Sequence, residues 1–123
     1  MSDLSPNLDQ WPLYRYHATL IRCVDGDTIE VACDLGMQIT RVVHLRIRDV
    51  DTPEIYGRDA TPAGTHAKNA LQSLLEGRTL YVETFKGRKS FDRYIAWVFV
   101  IDDDGTWIDV TEWLIDNGWG VRV

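Results

Sequence analysis

The sequence predicts an α+β domain that is mainly β. Five strands are expected to close into a barrel, with a helix between the third and fourth strands and a short helix near the C-terminus. Three observations carry this prediction: a turn at Asp25-Gly26-Asp27, alternating apolar and charged residues within 38–50, and an apolar stripe within residues 67–75. At 123 residues the chain has the length of one domain. We assign residues 13–123 to it and residues 1–12, which hold two prolines, to a loose N-terminal arm.

The first three strands are predicted from turn chemistry and period-two patterning. Residues 14–24 and 28–33 flank the Asp-Gly turn, which is typical of a strand–turn–strand unit. Residues 38–50 then alternate, with Val43, Leu45 and Ile47 on one face and His44, Arg46 and Arg48 on the other. Such alternation is typical of a half-buried strand. Short turns between the three strands favour a meander.

A helix follows the third strand. Thr61 is placed to act as its N-cap, with Pro62 at the first helical position and Gly77 as the C-terminal cap. Ala67, Ala70, Leu71, Leu74 and Leu75 form its apolar stripe.

The remaining elements complete the barrel. Residues 79–85 and 94–101 are predicted as strands four and five, joined by a basic connection at residues 86–89. A turn leads to a short extended segment at 106–108. Asp109 and Glu112 then resemble a capping box for a helix ending near Gly118. Three strands, a helix and two strands are the order of a small closed barrel of the oligonucleotide-binding type.

Composition limits the classes of partner. The chain is 45% apolar and 26% charged, with a net charge of −6, which by itself argues against a polyanionic partner. The charge is uneven, however. Residues 41–93 hold ten Lys/Arg and seven Asp/Glu, whereas residues 101–123 hold six acids and one arginine. A nucleic acid is therefore expected to meet the central part of the chain.

Two further features concern compartment and cysteine chemistry. No apolar run reaches the roughly 18 residues that span a bilayer, and the N-terminus lacks a visible secretory signal. We expect no membrane association, a monomer and, by default, a cytoplasmic location, with a secreted mature form as the alternative. Cys23 and Cys33 lie asymmetrically about the turn, so they are interpreted as packing residues without a disulfide.

Acidic residues mark a candidate metal site. Asp27 follows the first turn, and Asp51, Thr52 and Glu54 surround Pro53, which ends the third strand. A barrel can bring these two segments together, and carboxylates gathered there would repel each other unless a cation joined them. Oxygen ligands favour calcium first and magnesium second. Zinc is disfavoured because the three histidines lack its usual ligand spacing.

Four segments in register resemble the staphylococcal nuclease (thermonuclease-like) family. They are residues 24–28 (VDGDT), residues 46–54 (RIRDVDTPE), residues 64–67 (GTHA) and residues 91–96 (FDRYIA). The resemblance covers roughly residues 16–121. It departs from the family pattern at Asp49 and Asp92, where many members have glycine, and at Phe91, where the best-known members have tyrosine.

The resemblance implies a calcium-dependent nuclease. Asp27 and Asp51 would supply carboxylates to one Ca²⁺ ion, and Thr52 would supply its carbonyl oxygen. Glu54 would be the general base, and Arg46 and Arg93 would bind the phosphate, since arginine's planar fork matches two oxygens. The family's behaviour implies cleavage of DNA and/or RNA to 3′-phosphorylated products.

Two other interpretations stay open from the sequence. The barrel could be a non-catalytic module that binds nucleic acid or protein, as in degenerate members of the family. Alternatively, the carboxylates could be turn and strand-end residues without a metal, because Asp-Gly is a common hairpin turn.

Overall fold

A computed structural model describes residues 13–90 and 93–123, with the backbone alone described for residues 86–90. The predicted N-terminal arm, residues 1–12, lies outside the described part of the chain, as do Phe91 and Asp92. The described elements, in chain order, are β1 Arg15–Cys23, β2 Thr28–Asp34, β3 Thr40–Ile47, β4 Val50–Asp51, α1 Pro62–Leu75, β5 Thr79–Ser90, β6 Arg93–Ile101, β7 Trp107–Asp109, α2 Val110–Asp116 and β8 Val121–Arg122.

Five of the strands form a closed barrel. Their order is β3-β2-β1-β5-β6, and β3 also pairs with β6, which closes the ring. The closing pair is parallel, with His44 opposite Arg93 and Ile47 opposite Ala96. Strand β7 extends the sheet beyond β6, while β4 and β8 form a separate two-stranded sheet. The predicted mainly-β fold, a five-stranded barrel of the oligonucleotide-binding type with two helices, is confirmed.

The core follows the predicted alternation. Leu45 and Ile47 of β3 are fully buried, and so are Val98 and Val100 of β6. Helix α1 adds residues from its apolar stripe to the core; the fully buried ones are Ala67, Leu71 and Leu75. Burying each large aliphatic side chain contributes about 1.5–3 kcal/mol, so this alternation is a main source of stability.

The ends of α1 agree in part with the prediction. Thr61 occupies the N-cap position in an extended conformation, and Pro62 begins the helix, but the Thr61 side chain makes no capping hydrogen bond. Its backbone N–H instead donates to the Glu54 carbonyl oxygen at 3.1 Å. Gly77 follows the C-cap with a φ of 73°, the left-handed conformation in which glycine is favoured.

Strand boundaries differ from the sequence prediction at three places. Strand β3 begins only at Thr40 because Met37 and Gln38 have positive φ angles of 54° and 63°. It ends at Ile47, since Asp49 has a φ of 61°, and pairing resumes in the short β4. The basic residues 86–89 are not a connection but part of β5, which contains a register shift against β6 between Thr84 and Lys89.

The second helix and the cysteines complete the comparison. Asp109 caps α2, because its carboxylate accepts a hydrogen bond from the Thr111 N–H at 3.0 Å. Glu112 does not complete a capping box; its carboxylate contacts the Arg122 guanidinium at 2.6 Å instead.

Cys23 and Cys33 are buried free thiols, as predicted. Within residues 13–90 and 93–123, neither α1 nor α2 has the length and apolar composition of a membrane-spanning helix.

Candidate active site

The turn between β1 and β2 places Asp27 at one end of the barrel. The Asp27 N–H donates to Asp25 Oδ1 at 2.9 Å, which closes the turn locally. The Asp27 carbonyl accepts a hydrogen bond from the Ile47 N–H at 2.8 Å, which attaches the turn to the end of β3. Asp27 is only 8% exposed. A carboxylate that is so enclosed needs polar partners, because burying an unpaired charge is costly.

Thr52 supplies two of those partners. Its backbone N–H and its hydroxyl both donate to Asp27 Oδ2, at 3.0 and 3.1 Å. Thr52 directly follows β4, in which Asp51 pairs with Val121 of β8. The C-terminal strand therefore supports the backbone of Asp51, while Thr52 joins this segment to the turn that carries Asp27.

Gly26 permits the close approach of these two segments. A Cβ atom at this position would lie 2.6 Å from Thr52 Oγ1 and 2.8 Å from Thr52 Cβ. Gly64 has a similar role in α1, where a Cβ atom would overlap the Glu54 carbonyl oxygen. The two glycines thus allow the turn and the helix to pack directly against the segment that holds Asp51, Thr52 and Glu54.

Arg46 connects the two aspartates. Its Nη2 lies 2.5 Å from Asp51 Oδ1 and 3.4 Å from Asp27 Oδ2. Its Nη1 donates to the Ile47 carbonyl at 2.7 Å, which fixes the guanidinium against the end of β3. Two carboxylates from distant parts of the sequence therefore share one cationic group.

Arg93 lies beside this cluster through the barrel closure. It opens β6, opposite His44 of the parallel strand β3. Its Nη1 donates to the Thr28 hydroxyl at 3.4 Å, and that hydroxyl also donates to Asp27 Oδ1 at 3.3 Å. Thr28 pairs across β2 and β3 with Arg46. The two arginines are thus gathered around Asp27 and Thr28, on one side of the molecule.

Glu54 is held by its backbone while its side chain stays in solvent. Its carbonyl accepts the Thr61 N–H, and the residue is exposed. Within residues 13–90 and 93–123, its carboxylate makes no hydrogen bond or ion pair. Glu54 therefore lies two residues after Thr52 with a carboxylate that is not committed to another protein group.

Burial raises the pKa of Asp27 above its ordinary value. Desolvation is the main cause, and the hydrogen bond with Asp25 adds to it, while the Thr52 N–H and the Arg46 guanidinium lower the pKa. A cation close to Asp27 favours its ionised form. Burial thus disfavours the ionised form of Asp27, and the Thr52 N–H and the Arg46 guanidinium oppose that effect.

The predicted metal ligands can be compared with this geometry. Among the described residues, no group of three or more His, Cys, Asp and Glu side chains is arranged to hold a metal. The predicted ligands include only two such side chains, Asp27 and Asp51, together with the backbone carbonyl of Thr52. Both carboxylates contact the Arg46 guanidinium, and their role as ligands of a hard cation stays a prediction.

Several residues of this site were not identified from the sequence. Thr28 connects Arg93 to Asp27, and Gly120 of the C-terminal segment approaches Asp51 so closely that a Cβ atom would lie 2.8 Å from the Asp51 carbonyl. The period-two pattern of β2 could have placed Thr28 near Arg46. No local signal indicates that the C-terminal segment returns to Asp51.

Comparison with known proteins adds an independent finding. No family model matches the sequence. The chain is similar to two bacterial proteins described as endonucleases. Both are named "Uncharacterized endonuclease", one from Escherichia coli O157:H7 and one from Escherichia coli, and each is 32% identical over 97 residues. The match covers 75% of this chain and 55% of each relative, so the chain spans about half the length of the curated relatives it matches.

Proposed function

We propose that this protein is a nuclease that hydrolyses phosphodiester bonds of DNA and/or RNA with the help of one calcium ion. The observation that carries the proposal is a cluster of two acids and two arginines. Asp27 and Asp51 both contact the Arg46 guanidinium, and Arg93 lies on the same side of the barrel. The similarity to proteins named as endonucleases supports the same class of reaction.

The proposed roles follow from the charge that develops at phosphorus. Attack by water places negative charge on the non-bridging oxygens, and groups arranged to neutralise that charge lower the barrier. Arg46 and Arg93 can each bind two phosphate oxygens through the planar guanidinium. Asp27, Asp51 and the Thr52 carbonyl would hold calcium, which would supply further neutralisation and polarise the attacking water.

Glu54 is proposed as the general base. Among the described residues, its exposed carboxylate makes no hydrogen bond or ion pair, so the carboxylate is available to accept a proton. Glu54 lies two residues after Thr52. It would accept the proton of the attacking water as the oxygen–phosphorus bond forms. The bond between phosphorus and the 5′-oxygen would break, and the 5′-oxygen would take up a proton from solvent and leave as a hydroxyl, which leaves a 3′-phosphorylated product.

Arg46 must change partners in this proposal. Its guanidinium contacts Asp27 and Asp51. A substrate phosphate would compete with these carboxylates for the guanidinium, and a metal ion would compete with the guanidinium for the carboxylates. Phosphate and metal binding are therefore expected to support each other at this site.

A cleavage assay tests the proposal directly. Single-stranded and double-stranded DNA and RNA are incubated with the protein in calcium and, separately, in chelator. We expect cleavage in calcium alone, and we expect Glu54→Gln to lower the rate by about 10²–10⁴-fold, the usual contribution of a general base. Asp59→Asn, which removes an exposed acid in the following loop, is the matched control and should keep the wild-type rate.

Two results would contradict the proposal. Robust cleavage in chelator would exclude the metal dependence. Nucleic-acid binding without cleavage in saturating calcium would instead favour a non-catalytic binding module on the same barrel. A calcium titration of the melting temperature is the companion measurement, because a ligand that binds the folded state must raise its stability.

A further inference from the structure

A row of aromatic side chains lies on the outer surface of the barrel, outside the hydrophobic core. We call it the aromatic strip, and it consists of His17, Tyr81, Trp97, Phe99 and Trp107. The rings meet edge to face or tilted, with centroids 5.0 Å apart for His17 and Tyr81, 4.8 Å for Tyr81 and Trp107, and 4.8 Å for Trp97 and Phe99. The strip therefore crosses four neighbouring strands, β1, β5, β6 and β7.

The strip borders an open groove of about 420 Å³, whose lining also includes Arg15 and Glu83. This volume lies within the range of pockets that bind small ligands. Trp107 at the edge of the groove is 57% exposed. His17 is also exposed, whereas Tyr81, Trp97 and Phe99 are half-buried, so the rings line the groove with part of their surface open to solvent. Arg15 and Glu83, which pair at 2.7 Å, provide polar groups beside the rings.

The strip lies on the same face of β6 as Arg93 of the candidate active site. Arg93, Trp97 and Phe99 occupy alternate positions of β6 and so point to the same face of the sheet. Trp97 lies four positions after Arg93 along the strand, a distance of about 13 Å at the usual rise per residue. The Arg48 guanidinium lies 5.3 Å from the centre of the Trp97 ring, so a cation marks the end of the strip nearer the site.

The two ends of the aromatic strip differ in charge. The far end of the strip, at Trp107, follows an acidic turn that contains Asp102, Asp103 and Asp104. The near end has both signs of charge: Arg48 pairs with Asp49 at 2.9 Å, Trp97 Nε1 donates to Asp109 Oδ2 at 2.8 Å, and the strand leads back to Arg93. The near end is thus mixed in charge and the far end acidic, so a polyanion on this face would keep its phosphates toward Arg48 and Arg93.

We propose that the aromatic strip binds single-stranded nucleic acid and holds the part of a substrate that extends beyond the cleaved bond; this inference rests on the proposed nuclease function. Unpaired bases stack on aromatic rings without regard to sequence, while arginines track the backbone. The bases of a duplex are stacked on one another and cannot use these rings. The strip therefore favours single strands.

Binding is measured apart from catalysis. The Glu54→Gln protein in chelator is titrated with an oligothymidine of about 12 nucleotides, within the site size of such barrels, and tryptophan fluorescence is recorded. Adding Trp107→Ala or Tyr81→Ala should weaken binding about 5- to 100-fold, the effect of losing one base–aromatic stack. Met37→Ala, which truncates a 95% exposed apolar side chain on the β2–β3 turn, is the control and should not change the affinity.

Three results would overturn the inference. The first is unchanged affinity in both aromatic variants. The second is equal affinity for a duplex of the same length. The third is a dimer in sedimentation experiments that Trp107→Ala dissociates, because the strip would then be an interface between copies of the chain.

A short substrate separates this inference from the proposed function. A dinucleotide at Arg93 is too short to cover the distance to Trp97 and continue along the strip. Trp107→Ala should therefore leave its cleavage unchanged while raising KM for the long oligonucleotide, whereas Glu54→Gln should lower kcat for both. If neither substrate is cleaved but the fluorescence titration behaves as expected, the nuclease proposal fails and the binding surface stands.

Discussion

Gly26→Ala tests how the turn that carries Asp27 is joined to Thr52. The added methyl carbon would lie 2.6 Å from Thr52 Oγ1, 2.8 Å from Thr52 Cβ and 3.0 Å from Ala67 Cβ. These distances are well below the roughly 3.5–4.0 Å at which two carbon atoms attract each other. Thr52 must therefore move away, together with the two hydrogen bonds that it donates to Asp27.

The expected cost follows from this overlap. Adding a carbon to a well-packed position costs about 1–3 kcal/mol. For a chain of this size, about 4 °C of melting temperature is lost per kcal/mol, so the Tm should fall by about 4–12 °C. Because Asp27 and Asp51 would no longer be held in the same arrangement, the stabilisation by added calcium should also shrink.

Gly105→Ala is the matched control. Gly105 lies in the turn between β6 and β7 with a φ of 83° and no atom within 4 Å of an added Cβ. Alanine there costs about 1–2 kcal/mol through backbone strain alone. The control should therefore lower the Tm while keeping the full calcium response and the cleavage rate. Thermal scans with and without calcium measure both effects, and a Gly26→Ala protein with wild-type Tm and calcium response would refute the packing argument.

Three further predictions use other parts of the structure. The hydrogen bond from His44 lowers the pKa of Glu30 below its ordinary value of 4.5, so the pair stabilises the fold above that pH and loses its effect as pH falls through the lowered pKa. The Tm difference between wild type and Glu30→Gln should accordingly narrow from pH 7 to pH 3, and a difference that widens would contradict it. Burial raises the pKa of Cys23 to about 12, so its thiol should resist an aromatic disulfide reagent at pH 8 until denaturant is added; rapid reaction in the native protein would show that the thiol is accessible. Arg122→Gln removes the contact with Glu112 and should change the Tm little, because both groups are exposed, but it should weaken calcium binding through β8; an unchanged calcium titration would separate β8 from the site.

The barrel and the identity of its strands could be predicted because they depend on local patterns. The alternation of apolar and charged residues predicted the buried face of β3, and the Asp-Gly turn predicted the first hairpin. The break after Ile47 was missed because Asp49 adopts a left-handed conformation that its charge pattern does not reveal. That conformation also gives a physical reason for an aspartate at position 49, since Asp tolerates this region better than most residues.

The site itself depends on contacts between residues that are distant in sequence. The resemblance grouped Asp27, Asp51 and Arg46, but it did not indicate that the guanidinium lies between the two carboxylates. Likewise, the return of Gly120 and β8 to Asp51 is a tertiary contact with no local pattern. Register across the parallel β3–β6 pair, rather than any motif, places Arg93 near Thr28.

The position of Arg46 has a thermodynamic consequence. The Arg46 guanidinium contacts both Asp27 and Asp51, so the protein already compensates their charge internally. A phosphodiester that attracts the guanidinium would release the aspartates for the ion, and an ion bound there would release the guanidinium for the phosphodiester. Linkage requires the two effects to be equal: whatever factor nucleotide contributes to calcium affinity, calcium must contribute to nucleotide affinity.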